Sequence, residues 1–479
     1  MKTFDYFKEI CKIPRESGNE EGMRQYLLSW AKENNFEALR DNAGNIIIRT
    51  KATEGHENVA SVALQGHMDM VCVKTAESKH NFLTDPIEVY QDGDFLRAKD
   101  TSLGGDNGIA VAMIMALFTD KEAKHGPLEA IFTFSEETGM DGAFNLDGSL
   151  VQSRRLINLD SEEEGVIYIG CAGGIDIVGR AKYELDDVPK DWDTLKICVC
   201  GLLGGHSGGE IHQQRANAIS TLARGLVCIE QANVPFMLSR LVGGSRRNVI
   251  PSAAECEILV PRDCKHVVAE QIQATLDALR DEFRFTDAGL SMTCTDLDSC
   301  LPLPTCALDP DLSLLIAKAL FACPHGVYSM SKAIPGIVET SDNLAIASFQ
   351  NGLFEVQLSV RSNIDSAKLL LANKIKVILE SFGIDCTLGD GYPSWAPDPD
   401  SKLAKLCAKA YQESTGKAAT ITAIHAGLEC GVINSKCPGM DSISIGPNMY
   451  DVHSVNEHLS ISSVNRTYAF VCQLLSIME

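Results

Sequence analysis

The run Val62-Ala-Leu-Gln-Gly-His-Met-Asp-Met70 decides how this chain is read. It opens as a buried strand and then changes abruptly to an imidazole and a carboxylate two residues apart. If the strand ends near Gln65, the two-residue repeat of extended backbone puts His67 and Asp69 on the same side. His67 then lies at the carboxyl end of the strand, where open α/β sheets bind ligands. Taken alone, His-x-Asp fits a structural role as readily as a metal site in which the carboxylate orients the ligating ring. Outward from this run, strands are expected at 59–64, 128–134 and 156–159. The apolar stretch IAVAMIMALF (109–118) lies between the first two and reads as a buried helix. Apolar strands alternating with helices imply an α/β chain with a mainly parallel sheet covered on both faces.

The same placement of polar groups recurs. Asp106 lies in Gly104-Gly105-Asp106-Asn107-Gly108, directly before the buried helix, so its carboxylate belongs to a helix N-terminus. An N-cap is the alternative there. Glu136 and Glu137 close the strand at 128–134, two adjacent carboxylates that repel unless a cation or a proton separates them. Asp160 ends the apolar run at 156–159. His453 sits in the polar loop Tyr450-Asp-Val-His-Ser-Val-Asn-Glu457, after the apolar stretch at 443–445. Several strands thus end in an oxygen or imidazole donor at the edge where ligands bind. Donors of this kind without thiolate favour zinc, manganese or cobalt over copper or iron–sulfur chemistry. Three carboxylates and two histidines suit two ions sharing one carboxylate, with positions left open for water.

Composition narrows the partners. The 479 residues carry 42 Lys+Arg against 64 Asp+Glu, a net charge of −22, which repels nucleic-acid phosphates and anionic lipid. A solvated acidic surface explains most of that excess. The 17 cysteines are scattered without a CxxC pair, which fits reduced thiols in a cytoplasm better than a disulfide framework. The start, MKTFDYFKEICKIPRESG, reads as an amphipathic helix rather than a signal peptide. The apolar run at 109–118 is about half the length a bilayer crossing needs. Gly204-Gly-His-Ser-Gly-Gly209 makes a poor phosphate loop, because no Lys-Ser/Thr follows it.

Two acidic, turn-rich stretches, LDDVPKDWD (185–193) and GDGYPSWAPDPD (389–400), look like linkers. They divide the chain into 1–185, an insert at 186–395, and 396–479. Within the insert, Glu257-Ile-Leu-Val-Pro-Arg262 before a helix at 267–279 echoes Glu355-Val-Gln-Leu-Ser-Val-Arg361 before a helix at 366–379. The echo fits an internal duplication and also a chance likeness.

Together the His-x-Asp run, the Gly-rich Asp106 loop, the Glu136-Glu137 pair, Asp160 and His453-Ser-Val-Asn-Glu457 resemble the dinuclear metallopeptidases of the M20 family, over essentially the whole chain. Ile424-His-Ala-Gly-Leu-Glu-Cys-Gly431 and Gly204-Gly-His-Ser-Gly208 look like signatures of its cytosolic aminoacyl-histidine (Xaa-His) dipeptidase group. The resemblance implies a metallo-exopeptidase-like catalytic domain with an inserted α+β lid domain. It implies two divalent ions, zinc first with cobalt or manganese as alternatives. His67 and Asp160 would hold one, Glu137 and His453 the other, and Asp106 would bridge. Asp69 would stand behind His67, and Glu136 would be the general base toward metal-activated water. Asp rather than Glu at 160 leans toward recognition of a free amine. His206 is the implied donor to the tetrahedral oxyanion, Asn248 and Arg361 the implied substrate binders, and Gly427 a residue lining the pocket. His425, Glu429 and His458 are tempting further ligands but fit supporting roles better, whereas Glu457 is grouped with the metal centre.

The implied activity is hydrolysis of free-amine dipeptides, on a small-molecule substrate with neither nucleic acid nor membrane as partner. A homodimer is common among similar proteins. N-acyl amino acid hydrolysis, carboxypeptidase-type cleavage and a non-catalytic metal- or peptide-binding role on the same fold are the competing readings.

Overall fold

The computed structural model describes residues 2–297 and 303–479, so Met1 and Cys300 lie outside the described residues. The chain divides into two compact units. The first comprises Met1–Cys171, Trp395–Ala423 and Leu428–Glu479, and the second Ala172–Ser394 and Ile424–Gly427.

The first unit is built on an eight-stranded sheet. Its order is Glu37–Arg40, Ile46–Thr50, Leu128–Thr133, Val62–His67, Arg155–Asn158, Asp441–Ser444, Val166–Cys171 and Thr420–Ile424. The four middle strands, Leu128–Thr133 to Asp441–Ser444, run parallel. Antiparallel pairing flanks them. Every residue of Val62–His67 and of Leu128–Thr133 is buried, as strands covered on both faces require.

The strand expected at 59–64 runs three residues further along, so His67 is its last member. Gln65 does not end it, because its buried amide is satisfied by Glu429 Oε2 (2.6 Å) and Thr133 Oγ1 (3.2 Å), while its oxygen accepts from Asn158 Nδ2 at 2.5 Å. A polar residue with all its partners costs a strand interior little. The helix Gly105–Phe118 is apolar all round and buried throughout except at Asp106. It packs against Val62–His67 and against Lys2–Ile10, an amphipathic helix that buries Thr3, Phe7 and Ile10.

The second unit carries a larger, antiparallel sheet. From edge to edge it runs Ser291–Asp296, Trp192–Cys200, Ala254–Pro261, Met237–Gly243, Val338–Gln350, Leu353–Ser362, Gly173–Lys182 and Asp385–Leu388, with Gly326–Met330 also pairing on Val338–Gln350. The order is symmetric about the junction of Met237–Gly243 with Val338–Gln350. On each side come a long strand, a helix (Lys265–Glu282 or Asp365–Ser381) and a short edge strand. Among the described residues no helix is long and apolar enough to cross a membrane.

Candidate metal centre and substrate pocket

The carboxyl ends of the parallel strands bring the donors of the first unit together. Asp106 occupies the middle: its Oδ1 is 3.1 Å from His67 Nε2, and its Oδ2 is 3.0 Å from His453 Nε2. One carboxylate therefore presents one oxygen to each imidazole. Around this axis, Asp160 Oδ1 lies 3.5 Å from His67 Nε2, and Glu137 Oε2 lies 3.0 Å from His453 Nε2. Glu136 Oε2 stands back, 4.0 Å from His67 Nε2. Asp69 Oδ1 meets the other ring nitrogen of His67, Nδ1, at 3.2 Å.

Local backbone explains each placement. The strand Leu128–Thr133 ends in Ser135 with φ +49°, and Glu136 and Glu137 then open a single helical turn, Glu136–Gly139. The two carboxylates diverge because successive residues of a helix point about 100° apart. Their backbone N–H groups donate to Asp69 Oδ1 and Oδ2 at 3.1 and 3.2 Å, and Ser17 Oγ adds a third bond at 2.7 Å. Asp69 thus ties the Glu-Glu turn to the imidazole of His67. Gly66 is needed beside it: a Cβ there would lie 2.4 Å from Asn107 Oδ1, the atom that accepts the His67 backbone N–H.

Asp106 and Asn107 lie in the first turn of Gly105–Phe118 with non-helical backbone, joined by a cis peptide bond. Asp106 is not the N-cap, a position held by Gly104. Glu457, grouped from sequence with the metal centre, instead accepts from the backbone N–H groups of Leu103, Gly104, Gly105 and Asp106 at 2.7, 2.9, 2.8 and 3.3 Å. A carboxylate there answers the orphan donors and positive end of the helix. Arg15 holds the two ligand loops together by donating to the carbonyls of Met68, Asp69 and Gly104. Glu457→Ala would strand buried donors, so a loss of about 3 kcal/mol or more is expected. Denaturant unfolding of the variant, followed by metal titration, checks it.

His453 has φ +60°, in the left-handed region that a residue with a Cβ enters only when its surroundings hold it there. Its loop lies between Met449–Tyr450 and His458–Ser460, which belong to a four-stranded sheet with Phe95–Ala98 and Val89–Asp92. His458 packs among aromatic rings. It stacks on Tyr450 at 4.9 Å and meets Phe95 edge-on at 5.0 Å. Glu429 serves the sheet interior, its Oε2 accepting from Gln65 and Thr133.

Carboxylates outnumber the two imidazoles in the cluster. Burial pushes Asp160 up to about 7 and Glu136 well above the carboxylate range, with neighbouring carboxylates adding to both. Hydrogen bonds that His453 donates to Asp106 and Glu137 raise it to about 11. Burial opposes a charge on His67, yet Asp160, Asp106 and Asp69 raise it well above its ordinary value. Burial also opposes ionisation of Asp69, but its bonds to His67 and Ser17 bring it down to about 2. Donor atoms of His67, Asp106 and Glu137 lie within 4.8 Å of one another, and buried Asp160 Oδ1 has no hydrogen-bond partner among the described residues. This set of imidazoles and hard oxygens fits zinc, manganese or cobalt.

The remaining residues expected at the site, His206, Asn248, Arg361 and Gly427, belong to the second unit. His206 ends the short strand Gly205–His206, and its Nδ1 accepts from the backbone N–H of Gly208 (3.3 Å) and Gly209 (3.0 Å). The ring proton therefore resides on Nε2, which makes that atom a donor. Asn248 and Arg361 line one cavity of about 500 Å³ with Tyr392, Ser359, Gln357 and Gly174. Neither His206 nor Gly427 is part of that lining. His425, two residues before Gly427, is buried and bonded through Nε2 to Ser341 Oγ at 2.7 Å.

Comparison with known proteins agrees in direction. The model of "Peptidase family M20/M25/M40" matches residues 63–476. The chain is 39% identical to a cytosol non-specific dipeptidase of Escherichia coli (strain K12), over 98% of this chain and 96% of that one. It is also similar to the crystal structure of an aminoacylhistidine dipeptidase from Vibrio alginolyticus, at TM-score 0.93 and 35% identity, covering 100% of this chain and 96% of the other. An aminopeptidase PepT from Bacillus cereus shares the fold at TM-score 0.56 and 14% identity, covering 99% of this chain and 97% of that one.

Proposed function

The chain belongs to the peptidase family M20/M25/M40, and from that premise we propose that it is a cytoplasmic dipeptidase using two metal ions to cleave dipeptides with a free amino terminus, Xaa-His among a broader range. It is a hydrolase of peptide bonds. The observation that carries the finer reading is the division of Asp106 between His67 and His453, one oxygen to each.

In this reading His67 and Asp160 hold one cation, Glu137 and His453 the other, and Asp106 both. Zinc is the first choice, with cobalt or manganese accepted by the same donors. The ions, when bound, supply Lewis acidity that makes water a nucleophile at neutral pH and polarises the scissile carbonyl. Glu136, close to the donors but 4.0 Å from His67, accepts the proton of the attacking water and returns it to the leaving amine. Asp69 fixes the tautomer of His67 by taking its Nδ1–H, which leaves Nε2 free for the metal. His206 serves as oxyanion donor through its Nε2–H, a role its Nδ1 contacts support. Asn248, Arg361 and Gly427 handle the substrate, with Arg361 clamping the terminal carboxylate. The insert is taken as a lid built from two related halves, an idea supported by the symmetric strand order of its sheet.

A dipeptide panel run after chelation and readdition of single metals tests the whole reading. Activity should vanish with chelator, return with zinc, cobalt or manganese, and be higher on free dipeptides than on their N-acetylated forms. Preference for the blocked forms would assign an N-acyl amino acid hydrolase instead. Metal binding without turnover on any dipeptide would mean a binding protein.

A further inference from the structure

Two arginines stand at the ends of the two related strands of the second unit, and they meet different partners. Arg262, after Ala254–Pro261, is neutralised: its Nε lies 3.1 and 3.2 Å from the oxygens of Asp193. Arg361, near the end of Leu353–Ser362, has no carboxylate at ion-pair distance among the described residues. Its Nη1 donates to the phenol oxygen of Tyr392 at 2.7 Å, and its buried Nε has no partner. A phenol fixes the direction of a guanidinium without cancelling its charge. Arg361 is thereby oriented and left fully cationic toward an anion.

The phenol is itself held by a built scaffold. Tyr392 N donates to Gly174 O at 2.8 Å, Gly174 N to Tyr392 O at 3.2 Å, and buried Lys368 Nζ to the same Tyr392 carbonyl at 2.5 Å. Gly174 is the register partner of Arg361 in the neighbouring strand, Gly173–Lys182. A Cβ on Gly174 would lie 2.5–2.8 Å from the Tyr392 ring, so only glycine lets the ring lie across the strand and reach the guanidinium. The ring also walls the cavity of about 500 Å³, beside Gln357 and Ser359, which alternate with Arg361 on one face of their strand.

We propose that Tyr392 is the positioning residue of the carboxylate clamp, holding Arg361 for the terminal carboxylate of the dipeptide and bounding the space for its C-terminal side chain. This rests on the assignment of Arg361 to that carboxylate made above. An arginine left free to choose rotamers loses side-chain entropy on binding, so ordering it beforehand favours affinity for the carboxylate and leaves the chemical step alone.

The test compares Tyr392→Phe with the unaltered enzyme, metal-loaded, on a dipeptide and on the same dipeptide with its C-terminus amidated. Loss of one hydrogen bond to a charged group predicts a KM rise of roughly tenfold on the free dipeptide, kcat within about twofold, and no change in KM on the amide. An equal effect on both substrates, a fall confined to kcat, or no effect overturns the proposal. Arg361→Ala separates the two levels. If it abolishes the preference for the free carboxylate while Tyr392→Phe does nothing, only the positioning role fails. If Arg361→Ala affects dipeptide and amide alike, the carboxylate assignment itself fails.

Discussion

Glu136→Gln is expected to lower kcat by a factor of roughly 10³–10⁴, the upper part of what a positioned general base contributes, with bound metal close to that of the parent. The two halves of that expectation rest on different contacts. Glu136 is outside the donor set proposed for the metals, its Oε2 lying 4.0 Å from His67 Nε2, whereas Glu137 lies 3.0 Å from His453 Nε2. Gln has the shape of Glu and keeps the backbone N–H that Glu136 gives to Asp69, so the turn carrying Glu137 stays in place. What Gln lacks is a site basic enough to take a proton. Rapid-mixing kinetics on a dipeptide, with metal analysis of the same preparation, checks both halves. Substantial turnover in the Gln variant would remove Glu136 from the role of base, and loss of metal would make it a ligand.

The contrast between neighbours shows what a sequence can display. His67, Glu137, Asp160 and His453 were legible because each follows an apolar run and Asp106 because it precedes one, and the parallel strands Leu128–Thr133, Val62–His67, Arg155–Asn158 and Asp441–Ser444 carry their carboxyl ends to one side. What holds them was not legible. Arg15 acts through carbonyl acceptors, a contact available to an arginine anywhere near a backbone. Glu457 reads as another acid beside a histidine until the helix N-terminus it serves, some 350 residues earlier in the chain, is seen. Its cue was the Gly104-Gly105 pair, which leaves a helix start without a capping side chain.

The border of the second unit was obscured for a related reason. That unit begins at Ala172, between the strands Val166–Cys171 and Gly173–Lys182, where nothing polar interrupts the run. The acidic stretch at 185–193 marks a loop inside the unit rather than its edge. Tyr392 was hidden inside the other presumed linker, because a turn-rich composition gives no sign that a segment is bonded to a strand through Gly174.

Asp106→Ala is expected to remove activity to background and to take bound metal from about two ions per chain to fewer than one, a larger effect than loss of either histidine. Each imidazole faces only one Asp106 oxygen, so His453→Ala leaves His67, Asp160 and Asp106 as a three-donor set around one position. Removing Asp106 takes an oxygen from both positions at once and leaves each with a single imidazole and a single carboxylate. Those remaining carboxylates lie in a buried cluster with Glu136, where the loss of Asp106 also lowers the negative charge that attracts cations. The fold should survive, since the helix start is held by Glu457 through backbone N–H groups that alanine retains. Metal analysis of Asp106→Ala beside His453→Ala, with unfolding curves for both, distinguishes the cases. Retention of about two ions and measurable turnover in the Asp106 variant would mean that two independent sites, not one shared carboxylate, do the work.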